Sequence, residues 1–195
     1  MSPTDVPLTR ERILTAAEDV IRRFGPDKAT VVDVARALGV SHAAVYRHVA
    51  TKAELRDLVV SRCMEATMPA LRAIAARSGP APERLRQLFD TLVSGKRRWA
   101  SDDPELFAAY RTLAADAQSI TAAHVDEIIG LAATIIRDGV NEGTFRDVDA
   151  VATARAVLFA TSRFHHPVHA AEWGDPSIEA ARNDVWQLLM DGLRS

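Results

Sequence analysis

Apolar residues recur three and four positions apart along almost the whole chain, and this spacing restricts the fold more than any other feature of the sequence. It places apolar side chains on one face of a helix, because an α-helix turns once every 3.6 residues. No stretch of four or more residues alternates between apolar and polar as a half-buried strand would. With 195 residues, 48% of them hydrophobic, the chain can bury a full core. We therefore predict an all-α fold.

Capping residues and helix breakers divide this pattern into nine predicted helices. Thr9 is a good N-cap for the first helix, and Gly25-Pro26 ends it. Its predicted buried face includes Ile13, Ala17, Val20, Ile21 and Phe24. Thr30 caps the second helix, with Asp33 placed as in a capping box, and Pro69 kinks or interrupts the fourth. The predicted helices are about 9–24, 30–38, 41–49, 52–69, 82–100, 103–115, 118–141, 148–165 and 176–193.

Charge is distributed unevenly between a small N-terminal group of helices and the larger remainder. Residues 1–52 hold eight Lys and Arg against six Asp and Glu, although the whole chain has a net charge of −2. A mildly basic N-terminal part suits a protein that binds a polyanion with that part. We place the domain boundary near residue 52 and predict two domains, 1–52 and 53–195.

Cysteine content and hydropathy indicate the cellular compartment. Cys63 is the only cysteine, which excludes an intrachain disulfide and suits a reducing cytoplasm, so we expect a buried thiol. The N-terminal residues lack the apolar segment of a signal peptide, and no run of about 18 apolar residues occurs. We therefore expect a cytoplasmic protein that neither is exported nor spans a membrane.

The stretch GVSHAAVYRHVATKAEL, residues 39–55, concentrates cationic and hydrogen-bonding side chains. Between Ser41 and Lys52 it holds two histidines, a tyrosine, an arginine and a lysine, with no carboxylate. Gly39 can adopt the positive φ of a tight turn, and Ser41 can cap the helix that follows. Two short helices joined in this way predict a helix-turn-helix whose second helix lies in a DNA major groove.

The second helix of this motif has few apolar residues to hold it in place. Val45 and Val49 are its anchors, four residues apart, which leaves the other faces for DNA. Small or cationic side chains can approach base edges, whereas hydroxyl groups, imidazoles and helix-start N–H groups hold phosphates. The alternative is that this segment is a solvent-exposed cationic helix of a helical bundle, with no role in DNA binding. The predicted DNA-binding residues are Thr30, Ser41, His42, Ala43, Ala44, Tyr46, Arg47, His48, Thr51 and Lys52.

Residues 9–55 resemble the N-terminal domain of the TetR family of bacterial transcriptional regulators. The resemblance is closest over TVVDVARALGVSHAAVYRHVATKAEL, with a departure at Val49, where the family usually has Phe. It implies three small N-terminal helices, a linking fourth helix and a larger body that binds an effector. It also implies a homodimer formed by the last two long helices, and repression at a pseudo-palindromic operator that an effector relieves. Two copies of a short recognition helix are physically sensible, since one touches too few bases for useful specificity.

Histidines and aromatic residues of the body are candidates for the effector site. His124 shares a helical stripe with Ile120, Ile128 and Ile135, so we expect it to point inward. RFHHPVH supplies further histidines at the end of another predicted helix. The alternative to an effector site is that these histidines are partly buried and form hydrogen bonds within the fold. The predicted pocket residues are Phe107, Tyr110, His124, His165 and His166.

A divalent metal is a second hypothesis for the same histidines, with His124, His165 and His169 as ligands. Their spacing matches no established zinc signature, and no cofactor is required by the DNA-binding interpretation. A helical metal-dependent hydrolase and a protein-interaction bundle without DNA binding remain as alternatives. The sequence has no Gly-rich phosphate loop, nucleophile elbow or HExxH motif, so we predict that the chain is not an enzyme.

Overall fold

The computed structural model describes residues 7–27 and 30–194, and over these residues the regular structure is helical apart from an isolated bridge between Phe145 and Arg194. The predicted all-α fold is confirmed. In chain order the elements are α1 Arg10–Phe24, α2 Val31–Leu38, α3 His42–Tyr46, α4 Lys52–Glu65, α5 Met68–Ala76, α6 Ala81–Asp102, α7 Pro104–Asp116, α8 Gln118–Asn141, α9 Ala150–Ala160, α10 Ser162–His165, a 3-10 helix Pro167–Glu172 and α11 Ile178–Leu193.

Two predicted helices are each divided in the structure. Pro69 lies in the first turn of α5, where its missing N–H is tolerated, so the chain ends one helix at Glu65 and begins another. The first part of the predicted helix 148–165 ends at Ala160, where Thr161 is the C-cap with φ −94° and ψ 2°. The Thr161 hydroxyl bonds the carbonyls of Val157 and Leu158 at 2.8 and 3.1 Å. These breaks account for most of the difference from the nine predicted helices.

The chain forms two compact units, and they are not consecutive in sequence. The first comprises the described residues up to Met64 together with Asp103–Thr121, which adds α7 to the N-terminal helices. The second comprises Glu65–Asp102 and the described residues from Ala122 onward. A functional boundary near residue 52 stays a prediction, because these units describe packing alone.

In the first unit, α1 buries Ile13, Ala17, Val20 and Ile21 as predicted. The prediction for Phe24 is wrong: it is the last residue of α1, and 59% of it is exposed. Cys63 of α4 is buried, as expected.

Ion pairs join three helices of the first unit around a buried carboxylate. Glu18 of α1 is 8% exposed and forms an ion pair with Nε of Arg62 on α4 at 3.0 Å. Burial raises the pKa of Glu18, and the positive charge of Arg62 opposes that rise. Arg22 donates from Nε to Asp103 at 2.8 Å, and the other carboxylate oxygen of Asp103 caps α7 by accepting the Leu106 N–H. Helix α7 is thereby tied to α1 by charge as well as by packing.

The second unit is built around a core shared by α5, α6, α8, α9 and α11. Arg84, only 4% exposed, donates to the carbonyl of Ala75 at 2.6 Å and to Asp138 at 2.9 Å, which links α5, α6 and α8. Among the described helices, α8 is long and apolar enough to cross a membrane, with a mean hydropathy of 1.4. Core helices of soluble proteins pass the same test, and Ile128, Ala132 and Ile136 of α8 are core residues here.

Candidate nucleic-acid interface

The turn between α2 and α3 is fixed by backbone hydrogen bonds. Gly39 adopts φ 66° and ψ 30°, the left-handed conformation predicted for it. Its N–H donates to the Arg36 carbonyl at 3.2 Å, and the Val40 N–H donates to the Ala35 carbonyl at 3.1 Å. This pair of bonds is a Schellman motif, which satisfies the last carbonyls of α2 and sets the direction in which α3 leaves.

Helix α3 is short and is held by two buried valines. Val45 is 0% exposed and Val49 is 1% exposed, as predicted for the anchors. The helix ends at Tyr46 rather than Val49, and the His48 and Val49 N–H groups both bond the Val45 carbonyl in the turn that follows. A valine fills the position where a larger residue is usual in the TetR pattern, and it is fully buried.

The side chains around these anchors face solvent. His42, Ala43, Arg47 and His48 are exposed, Tyr46 is half exposed, and Ala44 is partly buried. The polar members of this set, His42, Tyr46, Arg47 and His48, form no side-chain hydrogen bond or ion pair with the residues that the structure describes. We call His42, Ala43, Tyr46, Arg47 and His48 the α3 face. It presents polar groups that the fold itself does not use.

Hydroxyl caps border the α3 face. The Ser41 Oγ accepts the Ala44 N–H at 3.2 Å, and the Thr51 Oγ1 accepts the Glu54 N–H at 3.0 Å. Each of these hydroxyls keeps its own proton available as a donor. The Thr30 hydroxyl differs, since it accepts the Asp33 N–H at 3.2 Å and also donates to the Asp33 carboxylate at 2.5 Å. That hydrogen bond from Thr30 lowers the pKa of Asp33.

The carboxylates nearest to the α3 face in sequence have partners within the first unit. Glu54 accepts the Ala50 N–H at 2.7 Å and pairs with Arg10 at 3.3 Å. Asp33 pairs with Arg36 at 3.2 Å. Lys52 donates from Nζ to the Asp27 carbonyl at 2.9 Å, a contact that the sequence did not predict, and this fixes the ammonium group beside the α1–α2 loop. Two further N–H groups of the ammonium remain as donors.

Two family models match this chain. The family of bacterial regulatory proteins called tetR matches residues 13–59, which contain α2, the Gly39 turn and α3. The Tetracyclin repressor-like C-terminal domain matches residues 81–186, more than half of the chain. The chain belongs to the TetR family. It is therefore a DNA-binding transcription regulator of the helix-turn-helix type, and proteins of this family bind DNA operators and small-molecule effectors, typically as dimers.

Solved structures with the same fold are distant in sequence from this TetR-family chain. SmeT, the repressor of the Stenotrophomonas maltophilia multidrug efflux pump SmeDEF, is 18% identical, with a TM-score of 0.73 over 100% of this chain and 93% of SmeT. A TetR transcription regulator from Haloarcula marismortui is 22% identical, with a TM-score of 0.73 over 95% of this chain and 97% of that one. The fatty acid degradation regulator FadR from Bacillus halodurans is 20% identical, with a TM-score of 0.63 over 95% and 100%. No curated protein sequence is a significant match. At these identities the structures show a shared fold.

The predicted pocket residues of this TetR-family chain are divided between the two units. Phe107 and Tyr110 lie on α7 in the first unit, where both are buried with ring centroids 6.5 Å apart. Burial raises the pKa of Tyr110 to about 12. His124, His165 and His166 belong to the second unit. The assignment of these five residues to an effector pocket stays a prediction.

The histidines of the second unit differ strongly in their surroundings. His165 is 8% exposed, and its Nε2 lies 3.4 Å from both the Thr161 hydroxyl and the Leu158 carbonyl. Burial lowers the pKa of His165 to about 4 and that of the partly buried His124 to about 4. His166 is exposed, and its Nδ1 accepts the Val168 N–H at 3.3 Å. His169 instead pairs with Glu172 at 2.8 Å, and Arg163 binds the same carboxylate.

Nothing in the described part of the chain groups three or more His, Cys, Asp or Glu side chains as metal ligands. The metal set His124, His165 and His169 stays a prediction from sequence. The structure gives His169 a carboxylate partner and His165 neutral hydrogen-bonding neighbours.

Sequence reasoning missed Lys96 of α6, which is 6% exposed. Its ammonium lies over the Trp99 ring, 5.5 Å from the centroid. Its positive charge adds to burial in lowering the pKa values of His124, His165 and His166. The sequence did contain a signal for the burial of Lys96. It follows Leu85, Leu88 and Leu92 at helical spacing, which places it on the same buried face of α6.

The buried state of His165 predicts a pH-dependent stability. Its pKa is about 4 in the folded chain against 6.5 for an ordinary histidine, so the unfolded chain binds the extra proton as the pH falls through this window. The folded state consequently loses stability between pH 6.5 and about 4, by roughly 3 kcal/mol from this group alone. We expect urea unfolding of His165→Gln to depend less on pH, so that its stability approaches that of the wild type as the pH falls. Parallel stability curves would contradict this assignment.

Proposed function

We propose that the α3 face lies in the major groove of an operator and that each chain reads one half-site. The observation that supports this most strongly is a set of exposed polar side chains with no use inside the fold, on a helix fixed by two buried valines and a Schellman turn. Arg47 is the member able to form bidentate bonds to a guanine edge. His42, Ala43 and Ala44 lie on the turn of α3 nearest its N-terminus, where close approach to bases is easiest.

Phosphate contacts surround the base-reading residues in this proposal. Tyr46 and His48 donate from exposed positions, and Ser41 and Thr51 donate the protons left by their capping roles. Lys52 contributes charge. Thr30 holds phosphate only through the N–H groups that begin α2, since its hydroxyl proton goes to Asp33. These contacts position the protein and carry no sequence information.

We further propose that residues 1–52 are the DNA-binding domain and that residues 53–195 bind the effector and form a homodimer. Helices α9 and α11 both contribute to one core, through Ala154 and Leu158 on α9 and Trp186 on α11. Each helix also leaves large apolar side chains in solvent: Val151 is 46% exposed, Phe159 57% and Leu188 74%. Such exposed apolar residues on two helices that share a core suit burial against a second copy.

The dimer proposal predicts a clear effect of charge on α11. We expect Leu188→Glu to shift the protein from dimer to monomer in sedimentation equilibrium at micromolar concentration, because a carboxylate would be buried at the interface. Val168→Glu is the matched control, since Val168 is 61% exposed on the 3-10 helix, outside α9 and α11. A monomeric wild type, or dimers in both variants, would refute the assignment of this interface.

Regulation follows from the energetics of two states. An effector releases the operator when it binds the DNA-free conformation more tightly than the DNA-bound one. We propose that the chain is a repressor of this kind and that it acts in the cytoplasm. The triclosan complex of SmeT shows that one distant structure with this fold binds an organic molecule.

Selection from random DNA tests the proposed function directly. The purified chain is incubated with duplexes containing a randomised segment of 30 base pairs, and bound molecules are sequenced over several rounds. We expect enrichment of one motif made of two inverted half-sites, as a two-fold symmetric dimer requires. Recovery of unenriched sequences at every salt concentration would leave only non-specific binding and would reject operator recognition.

A further inference from the structure

The chain between α3 and α4, residues 47–51, carries proposed phosphate contacts and is not part of a regular helix. Two of its N–H groups bond the Val45 carbonyl, at 2.9 and 3.1 Å. The Ala50 N–H instead donates to the carboxylate of Glu54 in α4, at 2.7 Å. A side chain from outside this turn therefore fixes its backbone close to the point where α4 begins.

Glu54 is itself held by two other segments. Its own N–H donates to the Thr51 hydroxyl at 3.0 Å, so the two residues form an exchange that resembles a capping box shifted by one position. Its second carboxylate oxygen pairs with Arg10 of α1 at 3.3 Å. All of these residues belong to the first compact unit. The Glu54 side chain thereby ties the α3–α4 turn to both α4 and α1.

The charge of Glu54 and its bond to the turn have opposite consequences for DNA binding. No carboxylate occurs between Ser41 and Lys52, so Glu54 is the first acidic residue after the α3 face. A negative charge beside DNA phosphates repels them, although Arg10 compensates part of it. A residue that supplied only charge at this position would weaken the complex, whereas a hydrogen bond that fixes the turn would strengthen it.

We propose that Glu54 is a positioning residue for operator binding, whose bond to the Ala50 N–H presets the turn so that His48, Thr51 and Lys52 reach DNA phosphates together. This inference rests on the proposed function, since it takes those three side chains as phosphate contacts. Without the bond, the turn would have to be ordered when DNA binds, and ordering of the backbone reduces affinity. The bond therefore acts on phosphate contacts, which every DNA sequence offers, and leaves base reading to α3.

Two substitutions of Glu54 separate its reach from its charge. Glu54→Gln keeps the length of the side chain and an oxygen that can accept the Ala50 N–H, and it removes the charge. Glu54→Asp keeps the charge but is one methylene shorter. Fluorescence anisotropy is measured with the selected operator and with an unrelated duplex over a range of salt concentrations. We expect Glu54→Gln to bind both duplexes at least as tightly as the wild type, and Glu54→Asp to bind both more weakly, by roughly fivefold or more, with a shallower salt dependence.

Hydrogen exchange and a control on the same helix complete the test. The Ala50 amide should exchange faster in Glu54→Asp than in the wild type or Glu54→Gln, with the amides of α1 unchanged, which a general loss of stability would not produce. Asp57 lies one turn later on α4, and its side chain makes no hydrogen bond or ion pair in the described part of the chain. Asp57→Asn therefore measures the effect of charge alone and should shift affinity in the same direction as Glu54→Gln.

Two results would overturn the positioning role of Glu54. One is operator binding by Glu54→Asp at wild-type strength or tighter, and the other is a folded Glu54→Gln that binds more weakly than the wild type. Either result, with operator selection by the wild type intact, would leave the proposed function standing. If the wild type selects no operator, the proposed function is rejected together with this inference.

Discussion

Arg47→Ala is expected to weaken binding to the selected operator by roughly 30- to 25,000-fold, because about 1–3 kcal/mol of base discrimination is lost in each half-site of a dimer. Arg47 is exposed and outside the buried anchors of α3, so the fold should not change. Fluorescence anisotropy with a labelled duplex, at one fixed salt concentration, measures the affinity. Binding to an unrelated duplex should change much less.

Two other variants separate base reading from general attraction to DNA. Lys52→Ala should weaken binding to operator and unrelated DNA alike and reduce the salt slope, as expected for a phosphate contact. It also removes the bond to the Asp27 carbonyl, so its melting temperature must be measured alongside. Arg77→Ala, at an exposed arginine of the second unit, is the matched control and should bind as the wild type does. If Arg47→Ala retained full operator affinity, the proposed base contact would be wrong.

The second large effect is expected at Gly139, which lies in α8 against the ring of Phe145. A Cβ atom at this position would overlap the Phe145 ring and lie 2.9 Å from the Cβ of Ala81. Both neighbours are buried in the core, and neither is the free end of a long side chain. We expect Gly139→Ala to lower the free energy of unfolding by about 1–3 kcal/mol, the usual cost of overpacking. Urea denaturation monitored by circular dichroism measures this change.

Gly130 provides a matched control in the same helix. A Cβ atom there would have no neighbour within 4 Å, and Gly130 is exposed. Gly130→Ala should therefore stabilise the protein by up to about 1 kcal/mol, since alanine favours a helix over glycine. Opposite signs for the same substitution in one helix would confirm that packing decides the effect at Gly139. Equal shifts at both positions would contradict the close contact with Phe145.

Local signals in the sequence were sufficient to predict the caps and the turn around α3. Thr30, Gly39 and Ser41 have the predicted capping and turn roles, because these depend on hydrogen bonds within a few residues. Val45 and Val49 are both buried, as their four-residue spacing predicted, although Val49 lies after the end of α3. The contact of Lys52 with Asp27 joins positions 25 residues apart, and periodicity carries no information about such pairs.

Packing between segments that are distant in sequence could not be predicted from the sequence. Helix α7 joins the first compact unit through its contact with α1 and the bond from Arg22 to Asp103, 81 residues apart. Phe107 and Tyr110, predicted for the effector pocket from their residue type, are buried in that unit, and their assignment to the pocket stays a prediction. Lys96 follows three core leucines at helical spacing, so its burial was readable from the sequence, whereas its effect on the pKa values of His124 and His165 depends on how separate helices pack.

Methylation interference on the selected operator tests most directly whether α3 reads bases in the major groove. Dimethyl sulfate modifies guanine at N7, in the major groove, and adenine at N3, in the minor groove. The account predicts that N7 methylation of one guanine in each half-site excludes the duplex from the wild-type complex. At a protein concentration that restores binding, Arg47→Ala should no longer discriminate against that modification. Interference confined to adenine N3, or an identical guanine pattern in Arg47→Ala, would contradict the account.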